Sequence, residues 1–358
     1  MSRTLQYLIF YGIFFIVLYG MHLYVYWRLN RMLGFTSPRM VFAVFTLAAL
    51  LFPIASLCEK FTPNTASMLL YTAASIWLGV VFLLLTLLLV GEPLLLLATV
   101  QKKTAGLLII AAAMGLSLYG LVNALFIDIK EVTIPLRGLE KPLRIVQLSD
   151  IHVGTIHNSG YLRRIVEKTN ALTPDMVFIT GDLFDGIGPV NEHTVAPLRE
   201  IHAPAFFVIG NHERYDGVDK VSRVLSSTGV RMLRNEVIES KGLQIVGVDF
   251  PEREGIKENT VVRSLPFDKN RPSVLMFHAP HGLDDAAQAG ISLQVSGHTH
   301  NGQLFPFTLL ARLFFRHVQG LHRVGDMYLY ISPGTGTWGP PMRIGSRNEI
   351  TLLHLVPE

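Results

Sequence analysis

LRIVQLSDIH, residues 143–152, places an aspartate and a histidine just after a mostly apolar run. Leu143 to Leu148 has the length and branched apolar content of a buried strand. Asp150 and His152 therefore follow a strand end, and side chains two positions apart on an extended segment reach the same side. The sequence therefore predicts a strand with two polar side chains placed together at its end.

The same arrangement recurs along the chain, which predicts an α/β domain. The run 159–172 predicts a helix capped by Asn158 or Ser159, and the runs 243–248, 328–331 and 350–355 predict further strands. Polar residues at the carboxyl ends of strands meet in one crevice of an open α/β sheet. Four more strands end in this way: 176–180 before Asp182, 205–209 before Asn211 and His212, 274–277 before His278, and 293–295 before His298 and His300.

The residue types at these strand ends predict a metal site. Imidazoles, two carboxylates and an amide form a mixed nitrogen and oxygen ligand set, which suits Mn, Fe or Zn and differs from the oxygen-only sites of calcium. Seven ligands exceed the needs of one ion. We therefore expect two divalent ions bridged by Asp182, an arrangement that suits in-line displacement at phosphorus.

In order, the blocks D-x-H, G-D, G-N-H-E, H and G-H-x-H resemble the signature of the calcineurin-like metallophosphoesterases, over residues 141–358. The tail GTGTWGPPMRIGSRNEI, residues 334–350, is similar to the membrane-associated YkuE-like and YaeI-like branch. The resemblance implies a two-sheet α/β/β/α sandwich and a histidine, here His212, that assists the leaving group. It implies one ion held by Asp150, His152, Asp182 and His300, and a second held by Asp182, Asn211, His278 and His298.

Three residues near these blocks have two interpretations each. Glu213 either supports His212 or caps the following helix. Arg343 either contacts phosphate or has a structural role in its glycine-proline loop. His281 matches no block, but it is the additional histidine most expected near the site.

The first 127 residues predict a membrane region, separate from a metallophosphoesterase domain at 128–358. Four apolar stretches are long enough to span a bilayer as helices: 5–26, 40–57, 68–90 and 105–127. Basic residues in the 1–2 and 3–4 loops predict that both termini, and hence the catalytic domain, lie outside the cytoplasm. The single Cys58 provides no disulfide that could report the compartment.

Charge is divided unevenly between these regions. Residues 1–127 have seven basic and two acidic residues, a balance of +5, whereas 128–358 have 24 basic and 25 acidic residues, a balance of −1. The basic excess therefore belongs to the membrane region, and no nucleic-acid-binding face is expected.

One apolar stretch, Leu304 to Val318, directly follows the H-x-H block. It either packs into the core, or forms an amphipathic flap that leans on the bilayer or on acyl chains of the substrate.

The sequence thus predicts a multi-pass cell-membrane metallophosphoesterase. A phosphodiester or pyrophosphate substrate presented at the membrane is preferred, because four spans are an extensive anchor for an enzyme of soluble nucleotides. The alternatives are a phosphomonoesterase, a non-catalytic receptor or scaffold, and a transport or sensor protein with an appended metal-binding domain. No oligomeric state is predicted.

Overall fold

The computed structural model describes residues 3–97, 101–251 and 258–358 and begins with four long apolar helices. They are α1 (Arg3–Leu33), α2 (Pro38–Phe61), α3 (Thr65–Leu97) and α4 (Lys102–Asn123). Each contains a stretch of at least 22 residues long and apolar enough to cross a membrane. The prediction of four apolar N-terminal helices is confirmed.

The fourth helix ends earlier than predicted. The expected span reached Ile127, but α4 ends at Asn123, and strand β1 occupies Ile127–Leu136. The apolar residues between the two elements continue the hydropathy of the helix and conceal its end. Asn123 marks it, because its side-chain Nδ2 donates to the carbonyls of Arg343 and Ser346 at 2.9 and 3.1 Å.

Two compact units are found in the chain. One contains residues 1–122 and 339–342, and the other contains 123–338 and 343–358. The limits 1–127 and 128–358 that were expected for the two domains stay a prediction.

Six strands form the first sheet of the α/β domain. They are β1, β2 (Leu143–Leu148), β3 (Met176–Ile179), β4 (Ala205–Phe207), β5 (Arg231–Met232) and β12 (Asn348–Pro357). Their spatial order is β1-β12-β2-β3-β4-β5. Strands β2 to β5 run parallel, so their carboxyl ends share one edge.

The second sheet also has six strands. They are β6 (Glu236–Ser240), β7 (Leu243–Val248), β8 (Ser273–Phe277), β9 (Leu293–Ser296), β10 (Gly320–Val324) and β11 (Met327–Ile331), in the order β10-β11-β9-β8-β7-β6. Neighbours among β7, β8, β9 and β11 are parallel. The carboxyl ends of these four strands therefore share one edge, as in the first sheet.

Alternating side chains of these strands build three apolar layers. In β3, Phe178 joins a core shared with Ile245 and Met276 of the second sheet, whereas Val177 joins a core shared with Leu162 of α5 (Ser159–Ala171). Both faces of the strand are buried, which explains its unbroken apolar run. A third core packs the far face of the second sheet against α10 (Leu283–Ala289). The predicted two-sheet α/β/β/α sandwich is confirmed.

The remaining helices are short. They are α6 (Glu192–Val195), α7 (Asn211–Asp216), α8 (Val218–Leu225), α9 (Glu258–Ser264) and α11 (Phe307–Phe314), with 3₁₀ turns at Ala196–Glu200 and His300–Gly302. Asn158 caps α5, because its side-chain oxygen accepts from the N–H groups of Gly160 and Tyr161. Of the two predicted caps, Asn158 is therefore the one used.

Candidate metal centre

The predicted ligands lie just beyond the carboxyl ends of β2, β3, β4, β8 and β9. The structure brings their side chains together although they are up to 150 positions apart in the chain. Potential ligand atoms form three groups, each with all its atoms within 4.8 Å of one another: Asp150, His152 and His300; His152, Asp182 and His212; Asp182, His278 and His298.

The separations within this cluster fit shared ions. Two atoms that each lie about 2.0–2.1 Å from a tetrahedral ion are about 3.3 Å apart. Four pairs lie near that value: His152 Nε2 and His300 Nε2 at 3.0 Å, His298 Nδ1 and His278 Nε2 at 3.1 Å, His278 Nε2 and Asp182 Oδ2 at 3.2 Å, and His300 Nε2 and Asp150 Oδ1 at 3.4 Å.

Asn211, the first residue of α7, provides an independent test of the fit. Its side-chain oxygen is buried and has no hydrogen-bond partner within the described parts of the chain. Burying an amide oxygen without a partner is unfavourable by about 1–3 kcal/mol. A cation beside it would satisfy this oxygen, as expected for a ligand.

The backbone is unusual at the predicted ligands. Non-glycine residues rarely adopt a left-handed conformation, which is unfavourable by about 1–2 kcal/mol per residue. Such residues cluster at functional sites, where the surrounding structure imposes the conformation. Five of the seven predicted ligands have positive φ angles: Asp150 at 51°, His152 at 52°, Asp182 at 50°, His298 at 71° and His300 at 49°.

Glycines before two of the blocks allow the backbone to approach the carboxylates. A Cβ at Gly210 would lie 2.2 Å from Oδ1 of Asp182, and one at Gly297 would lie 2.1 Å from Oδ2 of Asp150. No side chain fits at these distances. The glycines of G-N-H and G-H-x-H are therefore required by close contact with the site.

Two histidines are oriented by main-chain carbonyls. His278 Nδ1 lies 2.8 Å from the carbonyl oxygen of Thr180, and His212 Nδ1 lies 2.8 Å from that of Asp185. Because a carbonyl only accepts, each Nδ1 carries the proton and donates it. Nε2 of each ring is then directed toward Asp182.

Glu213 caps α7, which is one of its two predicted roles, and it also connects two loops of the site. Its buried carboxylate accepts from the N–H of Gly210 at 2.7 Å, which caps α7, and from those of Asp182 and Phe184 at 3.0 and 3.2 Å. Burial, with the nearby charge of Asp182, raises the pKa of Glu213 to about 7. The side chain thereby fixes the G-D loop against the G-N-H loop.

Charge within the cluster is concentrated on His278 and Asp182. Burial alone would lower the pKa of His278, but the Asp182 carboxylate raises it to about 10. Burial would raise the pKa of Asp182, but positive charge on His278 holds it well below its usual range. Burial raises the pKa of Asp150 to about 6.

The imidazoles of His152, His298 and His300 favour the neutral state. Burial, reinforced by the charge of His278, lowers the pKa of His298 to about 3. Burial likewise holds the pKa values of His152 and His300 well below the usual range. Neutral imidazole is the form that binds metal ions.

Arg343 is fully buried and bonds to the chain itself. Its nitrogens donate to the Asn348 side chain, the His300 carbonyl, the Ser346 hydroxyl and the carbonyls of residues 333, 334 and 336, at 2.7–3.4 Å. These bonds favour the structural interpretation, because a phosphate would have to displace at least one of them. Through the His300 carbonyl, Arg343 fixes one predicted ligand.

Several aromatic side chains near the site were not identified from the sequence. The rings of Tyr215 and Trp338 lie edge-on to His212, with centroids 5.3 and 5.6 Å away, and both are exposed. His281, the histidine most expected near the site, has its ring centroid 6.5 Å from that of His298. A histidine or aspartate in a motif can be found by pattern, whereas Tyr215, in α7, and Trp338, in a loop, belong to none of the metal-binding blocks.

The region that contains these residues is similar to known proteins. The family model described as calcineurin-like phosphoesterase matches residues 143–302. The chain is 34% identical over 237 residues to an uncharacterized metallophosphoesterase of Helicobacter pylori strain J99, covering 64% of each chain. It is 37% identical over 276 residues to a transmembrane protein with metallophosphoesterase domain from Danio rerio, covering 71% of this chain and 63% of that protein.

A third relative is matched over almost all of its length. The chain is 30% identical over 252 residues to an uncharacterized metallophosphoesterase of Aquifex aeolicus, covering 67% of this chain and 96% of that protein. In the Helicobacter and Danio comparisons, by contrast, the chain spans less than two thirds of the relative.

Proposed function

The chain belongs to the calcineurin-like metallophosphoesterases, and from this premise we propose that it hydrolyses a phosphodiester or pyrophosphate bond in a substrate presented at a membrane. Family membership supports a metal-dependent phosphoester hydrolase, and the four apolar helices indicate a membrane protein. The bond type and the substrate are the proposed part. The observation that carries the proposal is the convergence of imidazoles and carboxylates from two sheets on one cluster.

Two divalent ions, of Mn, Fe or Zn, are assigned to this cluster. When bound, they would supply positive charge for the phosphoryl oxygens and activate the attacking water. Only two of the assigned ligands are carboxylates, so the loaded site would keep a net positive charge that attracts a phosphate anion. The first ion is assigned to Asp150, His152, Asp182 and His300, and the second to Asp182, Asn211, His278 and His298.

His212 is assigned to the leaving group. Its Nδ1 donates to the Asp185 carbonyl, and its Nε2 lies 3.9 Å from Oδ2 of Asp182, at the edge of the cluster. A proton on Nε2 of the charged ring can be given to the departing oxygen as the bond to phosphorus breaks. Tyr215 and Trp338 then flank the space beside this ring in which the leaving group would lie.

The test compares bis-p-nitrophenyl phosphate with p-nitrophenyl phosphate as substrates of the detergent-purified full chain, with and without added Mn. We expect metal-dependent cleavage of the diester, lost in Asn211→Ala and kept in Asn270→Ala, an exposed asparagine as control. Preferential cleavage of the monoester would replace the proposal with the phosphomonoesterase alternative. Bound metal without turnover of these esters or of a lipid pyrophosphate would favour the sensor or scaffold alternative.

The catalytic domain is assigned to the side of the membrane away from the cytoplasm. Arg28, Arg31 and Arg39 near the 1–2 loop and Lys102 and Lys103 near the 3–4 loop support it, because basic loops stay in the cytoplasm. Fusions at the carboxyl terminus test this assignment. We expect the alkaline phosphatase fusion to be active and the green fluorescent protein fusion to be non-fluorescent. An inactive phosphatase fusion with a fluorescent protein fusion that fluoresces would reverse the assigned orientation.

A further inference from the structure

Helix α11 buries small residues and exposes large apolar ones, which is the opposite of an ordinary surface helix. Its buried residues are the small Thr308 and Ala311, which face the domain. Its large apolar residues face outward, with Leu309 55%, Leu313 77% and Phe314 79% exposed. A helix on the surface of a soluble domain normally buries its large apolar side chains and exposes polar ones.

The exposed apolar surface extends along the neighbouring chain. Phe305, Phe307 and Leu310 are 42%, 47% and 39% exposed, so six large apolar side chains within ten residues face outward. Single exposed apolar residues are common, but a contiguous group marks a binding surface. The core-packing alternative for residues 304–318 is wrong for this group and holds only for buried residues such as Leu304 and Val318.

Basic residues accompany the apolar group, as at a membrane interface. Arg312 lies within α11, and Arg316 follows it and pairs with the exposed Asp284 at 3.2 Å; both arginines are exposed. An interfacial helix combines bulky apolar residues, which enter the acyl boundary, with arginines that bind headgroup phosphates. Because the same chain has four helices that can span a bilayer, a lipid surface is within reach of this domain.

The helix is also fixed to the metal centre. Phe315, which follows α11, has its ring centroid 5.7 Å from that of His298 and stacks at 5.7 Å on His281. The Thr299 hydroxyl, between the two histidines of H-x-H, donates to the Val318 carbonyl at 2.6 Å. The apolar surface and the site are therefore parts of one loop system.

We propose that α11, with Phe305 and Arg316 at its ends, docks on the bilayer that holds the spans of the chain, so that one rim of the metal centre opens at the lipid surface. The side chains of Leu309, Leu313 and Phe314 enter the acyl boundary, and the two arginines bind headgroup phosphates. A second copy of the chain is the competing occupant. The proposal concerns where the domain binds, and it does not depend on the bond that the enzyme cleaves.

The test uses the full chain with Cys58→Ser, so that one new cysteine can be labelled with an environment-sensitive fluorophore. Leu313→Cys reports on α11, Phe314→Cys is a second position on the same surface, and Lys220→Cys, exposed on α8, is the control. Each protein is placed, one copy per disc, in nanodiscs of phosphatidylcholine and phosphatidylglycerol, with or without lipid that carries a doxyl quencher.

Doxyl lipid is expected to reduce fluorescence at position 313 or 314 at least about twofold and to leave position 220 almost unchanged. No quenching at either α11 position would overturn the proposal, and so would equal quenching at all three positions. A blue shift without lipid quenching, seen only with two copies per disc, would assign the surface to a second copy. Because the readout is independent of turnover, it separates this proposal from the proposed activity.

Discussion

The first sheet brings both carboxylates and the asparagine to the metal centre, whereas the second brings three histidines. Asp150, Asp182 and Asn211 follow β2, β3 and β4, and His278, His298 and His300 follow β8 and β9. The acidic charge is therefore on one side, and most of the nitrogen donors are on the other. His152 is the one histidine among the ligands assigned to the first sheet.

Because the two sheets supply different ligands, neither sheet contains a complete site. In the assignment above, each ion takes ligands from both sheets, and the His278–Asp182 pair at 3.2 Å already joins them. Ion binding would therefore couple the two sheets. Changes to Asp150 or Asp182 on the first sheet remove charge, and changes to His298 or His300 on the second remove a neutral donor, so the two classes should differ in their effects.

The largest effect is expected from Asp182→Asn, because this carboxylate is assigned to both ions. We expect kcat to fall about a thousandfold or more, and metal content measured by mass spectrometry to fall for both ions. Asp219→Asn, an exposed position on α8, should retain both values. Retention of two ions in Asp182→Asn would contradict its bridging role and the asymmetry between the sheets.

His212→Asn should leave the ions in place and lower the rate about a hundredfold. The loss should be larger for an alkyl ester than for a p-nitrophenyl ester, because p-nitrophenolate departs without a proton. The exposed His193→Asn is the control. An equal loss on both esters would assign His212 to binding of the phosphoryl group.

Glu213→Gln replaces the carboxylate that joins the loops after β3 and β4 of the first sheet. The amide retains one acceptor oxygen for three N–H groups, so we expect metal affinity to fall about ten- to a hundredfold while saturating metal restores most of kcat. Titration of activity with Mn measures this, beside the exposed Glu167→Gln. A loss that added metal does not restore would mean that Glu213 acts on the reaction itself.

The smallest effect is expected outside both sheets, at α11. Leu313→Ser combined with Phe314→Ser should lower turnover of a vesicle-borne diester about three- to tenfold and leave bis-p-nitrophenyl phosphate unaffected. The soluble ester is the internal control. Equal loss on both substrates would mean that α11 supports the fold of the site and does not present it to lipid.

Much of the fold could be predicted because its central strands are buried on both faces. The run 274–277 is apolar throughout and 143–148 is mostly so, and the polar residues after these runs identify the site. Strand β1 was missed because its first residue continues the hydropathy of the preceding helix. Strands β6 and β10 were missed because their exposed positions interrupt the apolar pattern.

The residues that support the site were less accessible to prediction. Two of the three bonds of Glu213 join segments about 30 residues apart, and Arg343 bonds to a carbonyl 43 positions away, which no local pattern reveals. The left-handed backbone at the ligands depends on tertiary contacts. The sequence showed that α11 is apolar. It did not show which side chains point outward, because that depends on which face of the helix has residues small enough to pack against the domain.

Strand β12 has a further consequence, for the synthesis of the protein. It lies between β1 and β2 and pairs with β1 in parallel from Ile127 and Asn348 onward, more than 200 residues apart. The first sheet therefore stays divided until residues 348–357 leave the ribosome, by which time the four apolar helices have long been synthesised. Until then the open edges of β1 and β2 can pair with the wrong strands. We therefore expect chaperones on the side of the membrane where the domain folds to bind the nascent domain.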